Sequence, residues 1–284
     1  MADAVVIGLR SLAFAAVLQA AGTPIFIWLF GKSLDRSAKA VHAIAVFSTV
    51  LALILTTLHA VIQPARLTGE MQSILDPSLQ TLLLSSDSGV ALSIRLFGLF
   101  LIVGGSLKSD RTGAAAAMLG TSLIAASFAF MGHTATHEQR WLLAPFLITH
   151  IAAIAFWFGG LWPLLIATRS ESMGVAGSTI EQFSRIAIWL VPLIFAAGLV
   201  MTILVLPSLS SLNTAYGKSL LTKTGGFAIL MGLAAANKWR FGPKVATGDA
   251  TSLKAFRCSV LVEWLLILAV VTVTATMTAL FSSE

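Results

Sequence analysis

Charge is the scarcest commodity in this chain. Only 11% of its 284 residues are Asp, Glu, Lys or Arg, against about 25% in a soluble domain. Too little charge is left to cover a water-facing surface, which excludes soluble enzymes and nucleic-acid-binding folds. A single cysteine, Cys258, rules out an internal disulfide and any multi-cysteine metal site. Carboxylates number 12 against 18 bases, and none on the expected outer face are spaced to cage a hard cation. Also missing are a Walker loop, a dinucleotide-binding glycine pattern and a nucleophile with a base partner, so no enzyme chemistry is expected. The net charge of +6 points to basic loops and anionic headgroups of membrane lipids, with no nucleic acid as partner.

What is present is apolar length: 57% hydrophobic residues and a mean hydropathy of +0.91. Stretches between polar or Gly/Pro breaks give eight predicted spans: Ser11–Phe30, Ala40–Gln63, Gly89–Leu107, Gly113–Met131, Leu142–Thr168, Phe183–Leu206, Ser219–Asn237 and Phe256–Leu280. Each is long enough to cross about 30 Å of hydrocarbon as a helix. Lipid leaves backbone groups no outside partner, and the short alternating segments of a barrel are missing. The expected fold class is therefore an all-α membrane protein, a bundle of eight transmembrane helices in a single polytopic domain.

Lys32, Arg36, Lys39, Lys108, Arg111, Arg169, Arg185, Lys238, Arg240, Lys244, Lys254 and Arg257 fall near odd-numbered loops. Only Arg66, Arg140, Lys218 and Lys223 fall near even-numbered ones. Bases are retained in the cytoplasm, so odd loops are expected there and both termini in the periplasm. Met1–Leu9 carries Asp3 and no base, so no cleaved signal peptide is expected. Gly89-x-x-Leu92-x-x-Arg95 opens the third span and Gly217-x-x-Leu220-x-x-Lys223 the seventh; Pro64 closes the second as Pro207 closes the sixth. Two parallel four-helix repeats, residues 1–131 and 132–284, would give that pattern.

This orientation gathers soft and borderline ligands on the outer half: His59, Met131, His133, His137 and, inside the fifth span, His150. Imidazole with thioether is a donor set that copper prefers. His133 and His137 are four apart, so a helical turn would put both on one face. An imidazole inside a span is costly unless paired or functional. Arg95 and Glu263 are charges within spans, at depths too different for easy pairing, and Glu263 is expected near Asn237 or Lys223. Trp157 precedes Gly159-Gly160, which allow close helix approach, and Pro163 is expected to kink the fifth span below His150.

Gly132-His133, then Thr149-His150 through Trp157-Phe-Gly159-Gly160-Leu161-Trp-Pro163, resembles the signature of the copper-resistance protein D (CopD) family. Tyr216-Gly217 through Lys223 with Asn237, and Arg257-x5-Glu263, are similar to its seventh and eighth spans. The resemblance implies eight helices, a copper ion as cargo in an unassigned oxidation state, and transport across the bacterial inner membrane that contributes to copper homeostasis and resistance. It also implies a separate periplasmic copper-binding partner of the CopC type. His133 and His150 match the family's histidines; His137, His59 and Met131 are added from depth and chemistry. The expected path runs past Trp157, Gly159, Gly160 and Pro163 toward Asn237 and Glu263, with Arg95 as a further path residue. Other readings are a b-type haem protein using His59 and His150 as axial ligands, and a copper sensor or assembly factor.

Overall fold

The structure is a computed structural model that describes residues 2–108, 110–132, 135, 137–205 and 213–281. Eight of its helices are long and apolar enough to cross a membrane. They are α1 (Ala2–Phe30), α2 (Ala38–Thr68), α3 (Asp87–Ser106), α4 (Arg111–Ser127), α5 (Arg140–Ser170), α6 (Met173–Val205), α7 (Ala215–Ala236) and α8 (Ala250–Phe281). No strand occurs among the described residues. Phe47, Phe97, Phe100, Trp189 and Ile203 stand exposed on the helices, a surface that suits hydrocarbon and not water. The protein is a multi-pass membrane protein.

Every predicted span has its helix, and each helix begins before the expected residue, because helices continue past the hydrocarbon once the chain has begun to form backbone bonds. The largest difference is α6, which starts ten residues before the expected Phe183. The extra turns carry Glu181, which pairs with Arg185 one turn on, and pack Gly177 against Ala246 of a short helix, Gly242–Ala246. Pro64 does not end α2; the helix runs one turn further, to Thr68, and stops at Gly69, whose φ of 79° is open to glycine. Pro207 lies outside the described residues.

α1 and α5 form the centre. They cross where Gly22 meets Gly159, so closely that a Cβ on Gly159 would stand 2.6 Å from the Gly22 Cα. Such approach between backbones is how small residues substitute for the hydrophobic drive that lipid removes. α3 and α4 form a hairpin in the same manner, a Cβ on Gly98 falling 2.7 Å from the Gly120 carbonyl oxygen. Around this centre α1 packs on α2, α4 and α8, while α5 packs on α6, α8 and α4. α2 packs along α3, whereas α6 and α7 make marginal contact at most. At the end carrying the odd loops, the basic end, Glu171 Oε1 accepts from the Ser37 amide (2.8 Å) and hydroxyl (2.6 Å). This tie joins the α1–α2 loop to the α5–α6 turn. Burial alone would raise the Glu171 carboxyl, but hydrogen bonds from Ser37 and the backbone of Arg36 and Asp35 hold it below its usual range.

Candidate functional site

The helix that carries most candidate residues is α5, which runs without a break through both Pro145 and Pro163. Pro163 has no N–H to offer the carbonyl four residues back, that of Gly159. In lipid such an orphan must be satisfied by a neighbour. Gln19 of α1 does so: its Nε2 donates to the Gly159 oxygen at 2.8 Å, and its Oε1 accepts from Trp264 Nε1 of α8 at 3.4 Å. One amide thus joins three helices. Gly160 faces the ring of Phe183, which stacks on Phe156 at 4.9 Å. The expected break near Gly159–Pro163 is therefore a repaired helix, closely packed on α1.

Three turns nearer the start of α5, His150 is 7% exposed, with Nδ1 3.0 Å from the Ile194 carbonyl of α6. A carbonyl oxygen only accepts, so Nδ1 carries the proton and Nε2 keeps its lone pair. This is the arrangement that prepares a histidine for a metal. Gly198 lies against the ring edge, one turn after Ile194. From α7 the charge of Lys223 acts on the same imidazole, a neighbour the spacing alone does not show.

His137 has the opposite bias. Its Nδ1 accepts from the Gln139 amide at 3.0 Å, just before α5 begins, so the proton is on Nε2. To bind metal through Nε2 it must change tautomer and give up that bond. The residue lies in irregular backbone, and His133, the expected partner on a helical turn, lies outside the described residues. Among the described residues no three His, Cys, Asp or Glu converge on one point.

Met131, His59 and Arg95 share a different environment, between α1, α2, α3 and α4. Arg95 is 5% exposed; its Nε donates to the Ser127 hydroxyl at 3.1 Å, one terminal nitrogen reaches the Met131 sulfur at 3.2 Å, and its plane lies 4.3 Å from the Phe128 ring centre. The charges of Arg10, Arg95 and Arg66 all act on His59, whose Nε2 is buried without a hydrogen bond. His59 and His150 therefore have different neighbours. Sequence spacing placed Arg95 and Met131 in the same half, but not in contact.

The third group lies toward the basic end. Glu263, 3% exposed, accepts from Asn237 Nδ2 on Oε1 (2.6 Å) and from Trp157 Nε1 on Oε2 (3.3 Å). Its expected partner is thus Asn237, with Trp157 added and neither Lys223 nor Arg95 taking part. Asn237 opens a π-helical stretch, Asn237–Phe241, that continues α7. The three side chains line a cavity of about 260 Å³ that separates α6 from α7 and has mostly apolar walls, among them Leu161, Val191 and Met231.

Two family models match this chain. One, described as copper resistance protein D-like, N-terminal domain, covers residues 1–143. The other, copper resistance protein D, covers residues 177–277. The chain belongs to the copper resistance protein D family. Between the two matches lies most of α5, including His150, Trp157, Gly159, Gly160 and Pro163. The chain is also 31% identical over 159 residues to the copper transport protein CutJ of Bacillus subtilis (strain 168). That alignment covers 54% of this chain and 28% of the relative, so it spans a little over a quarter of the longer protein. No solved structure matches the chain.

Proposed function

We propose that this copper resistance protein D family member moves copper ions across the bacterial inner membrane, taking them from the periplasmic side and contributing to copper homeostasis and resistance. The observation that carries the reading is His150: a buried imidazole whose Nδ1–H is held by the Ile194 carbonyl, leaving Nε2 for a metal inside the helix bundle. The relative's name, copper transport protein, supports copper as cargo. The termini end, with fewer bases, faces the periplasm in this reading, and a separate CopC-type copper-binding protein is the expected donor.

His150 is the central ligand, joined by His133 and, after a change of tautomer, by His137. Met131 and His59 serve less well as first ligands, because fixed guanidinium groups repel a cation and Arg95 already holds the sulfur. The charge near His150 comes from the single lysine Lys223, where His59 has three guanidinium groups acting on it. From His150 the ion descends along α5 to the cavity at Trp157, Asn237 and Glu263, beside the Gly159–Pro163 crossing. The test is copper binding to purified protein. His150→Ala is expected to weaken it by at least about tenfold; unchanged stoichiometry and affinity would remove the assignment.

A further inference from the structure

The cavity between α6 and α7 has a chemistry of its own. A carboxyl group inside a span is costly and is retained where it pairs or works. Glu263 receives two N–H donors, from Asn237 and Trp157, and among the described residues it has no ion pair with a base. Beside it Asn237, 6% exposed, keeps a side-chain oxygen that is buried and accepts nothing. The amide is oriented by the carboxylate, which can only accept from Nδ2. Asn237 also sits where the backbone departs from α-helical winding, and such π segments recur at functional sites.

The donors meeting here are oxygens. Among the lining residues the sulfur of Met231 is the one soft donor, and there is no imidazole or thiolate. That is a set for a hard ion and differs from the histidines that copper would use. The neighbouring elements add little charge. α6 contributes Phe183, Ser184, Ile188, Val191 and other residues that do not titrate, and α5 contributes Trp157 with leucines. α1 reaches α8 through Gln19, which is bonded to Trp264. The other ionisable side chain lining the cavity is Lys238, at the basic end; on α8 itself Arg257, more than a turn away, donates to the Thr168 carbonyl.

We propose that Glu263 and Asn237 form a second cation site, for a proton or a sodium ion, and that its occupation is coupled to copper passage. A proton on Glu263, or a sodium ion between its carboxylate and Asn237 Oδ1, neutralises the buried charge. The ion also supplies the partner that the amide oxygen lacks. The cavity, reached from the basic end, is its exchange route. The site itself stands on its geometry; only the coupling rests on the copper-transport reading.

Two measurements separate these. In copper-free liposomes holding the full chain, tryptophan emission is titrated with pH at fixed sodium and with sodium at fixed pH, because Trp157 touches the carboxylate. A response to pH alone identifies a proton, and a response to sodium identifies the metal ion. In either case Glu263→Gln, isosteric and neutral, and Trp157→Phe must abolish it. A wild type silent to both ions, or a response that persists in Glu263→Gln, overturns the site. Asn237→Ala, which leaves the carboxylate in place, is expected to weaken the response and guards against a Glu263→Gln protein that does not fold. The second measurement is copper uptake under an imposed pH or sodium gradient. Uptake indifferent to both overturns the coupling. A wild type that moves no copper yet shows the emission response overturns the transport reading and leaves the site intact.

Discussion

Replacing Gln19 by Met tests the way this bundle tolerates a proline in its central helix. The substitution keeps side-chain length but removes the amide that donates to the Gly159 carbonyl at 2.8 Å. Pro163 cannot supply that bond, and the nearest alternative, the Thr23 hydroxyl, stands 3.5 Å away and already donates to the Gln19 carbonyl at 2.9 Å. A buried acceptor left without a donor costs about 1–3 kcal/mol. The weaker contact from Trp264, at 3.4 Å, is lost as well. Each kcal/mol changes the folded-to-unfolded ratio roughly fivefold, so the shift is large enough to read in reversible unfolding from mixed micelles. The decisive comparison uses Pro163→Ala, which restores an N–H able to reach the Gly159 oxygen within the helix. On that background Gln19→Met should cost less, by about 1 kcal/mol or more. Equal costs on the two backgrounds would refute the idea that Gln19 stands in for the donor proline removes.

Gly159→Ala should prevent stable folding or cost several kcal/mol, because its Cβ would meet the Gly22 backbone, while Gly8→Ala on the same central pair of helices, with open space around it, should be nearly neutral in the same unfolding assay. Met131→Leu should leave copper stoichiometry unchanged, since its sulfur is held by Arg95, and loss of a copper equivalent would return that residue to the ligand set. The Glu171 carboxyl is held below its usual range, so its tie to Ser37 stabilises the fold at neutral pH and is lost as pH falls through that lowered value. Glu171→Gln should flatten the acid limb of thermal stability measured in detergent, and an acid limb identical to wild type would contradict the assignment. The side chain is largely solvated, so the effect should be small.

The eight spans were legible because lipid imposes a composition on the chain, and composition is local. The start of α6 was not, since residues 173–182 form a helix only by packing beyond the hydrocarbon against Gly242–Ala246. The value of Gln19 depended on a proline 144 positions away: a polar residue in an apolar span gave a signal, but its partner appears only when α1 and α5 cross. Depth along each helix placed Arg95 and Met131 in one half and Glu263 near Asn237. It could not show that a guanidinium would hold the sulfur, nor that Trp157 would complete the carboxylate's surroundings. For the histidines, residue type was equally readable at His137 and His150, whereas the proton's place on each ring follows from a neighbour, an amide in one case and a carbonyl in the other.

The central claim is that copper crosses the membrane through this chain by way of His150. Purified protein in liposomes loaded with a copper-sensitive chelating dye tests it directly, with wild type, His150→Ala and protein-free vesicles compared at equal copper outside. The expected result is uptake by wild type that falls to the protein-free level in His150→Ala. Wild-type vesicles no faster than protein-free ones would contradict transport, and a His150→Ala rate equal to wild type would contradict the route.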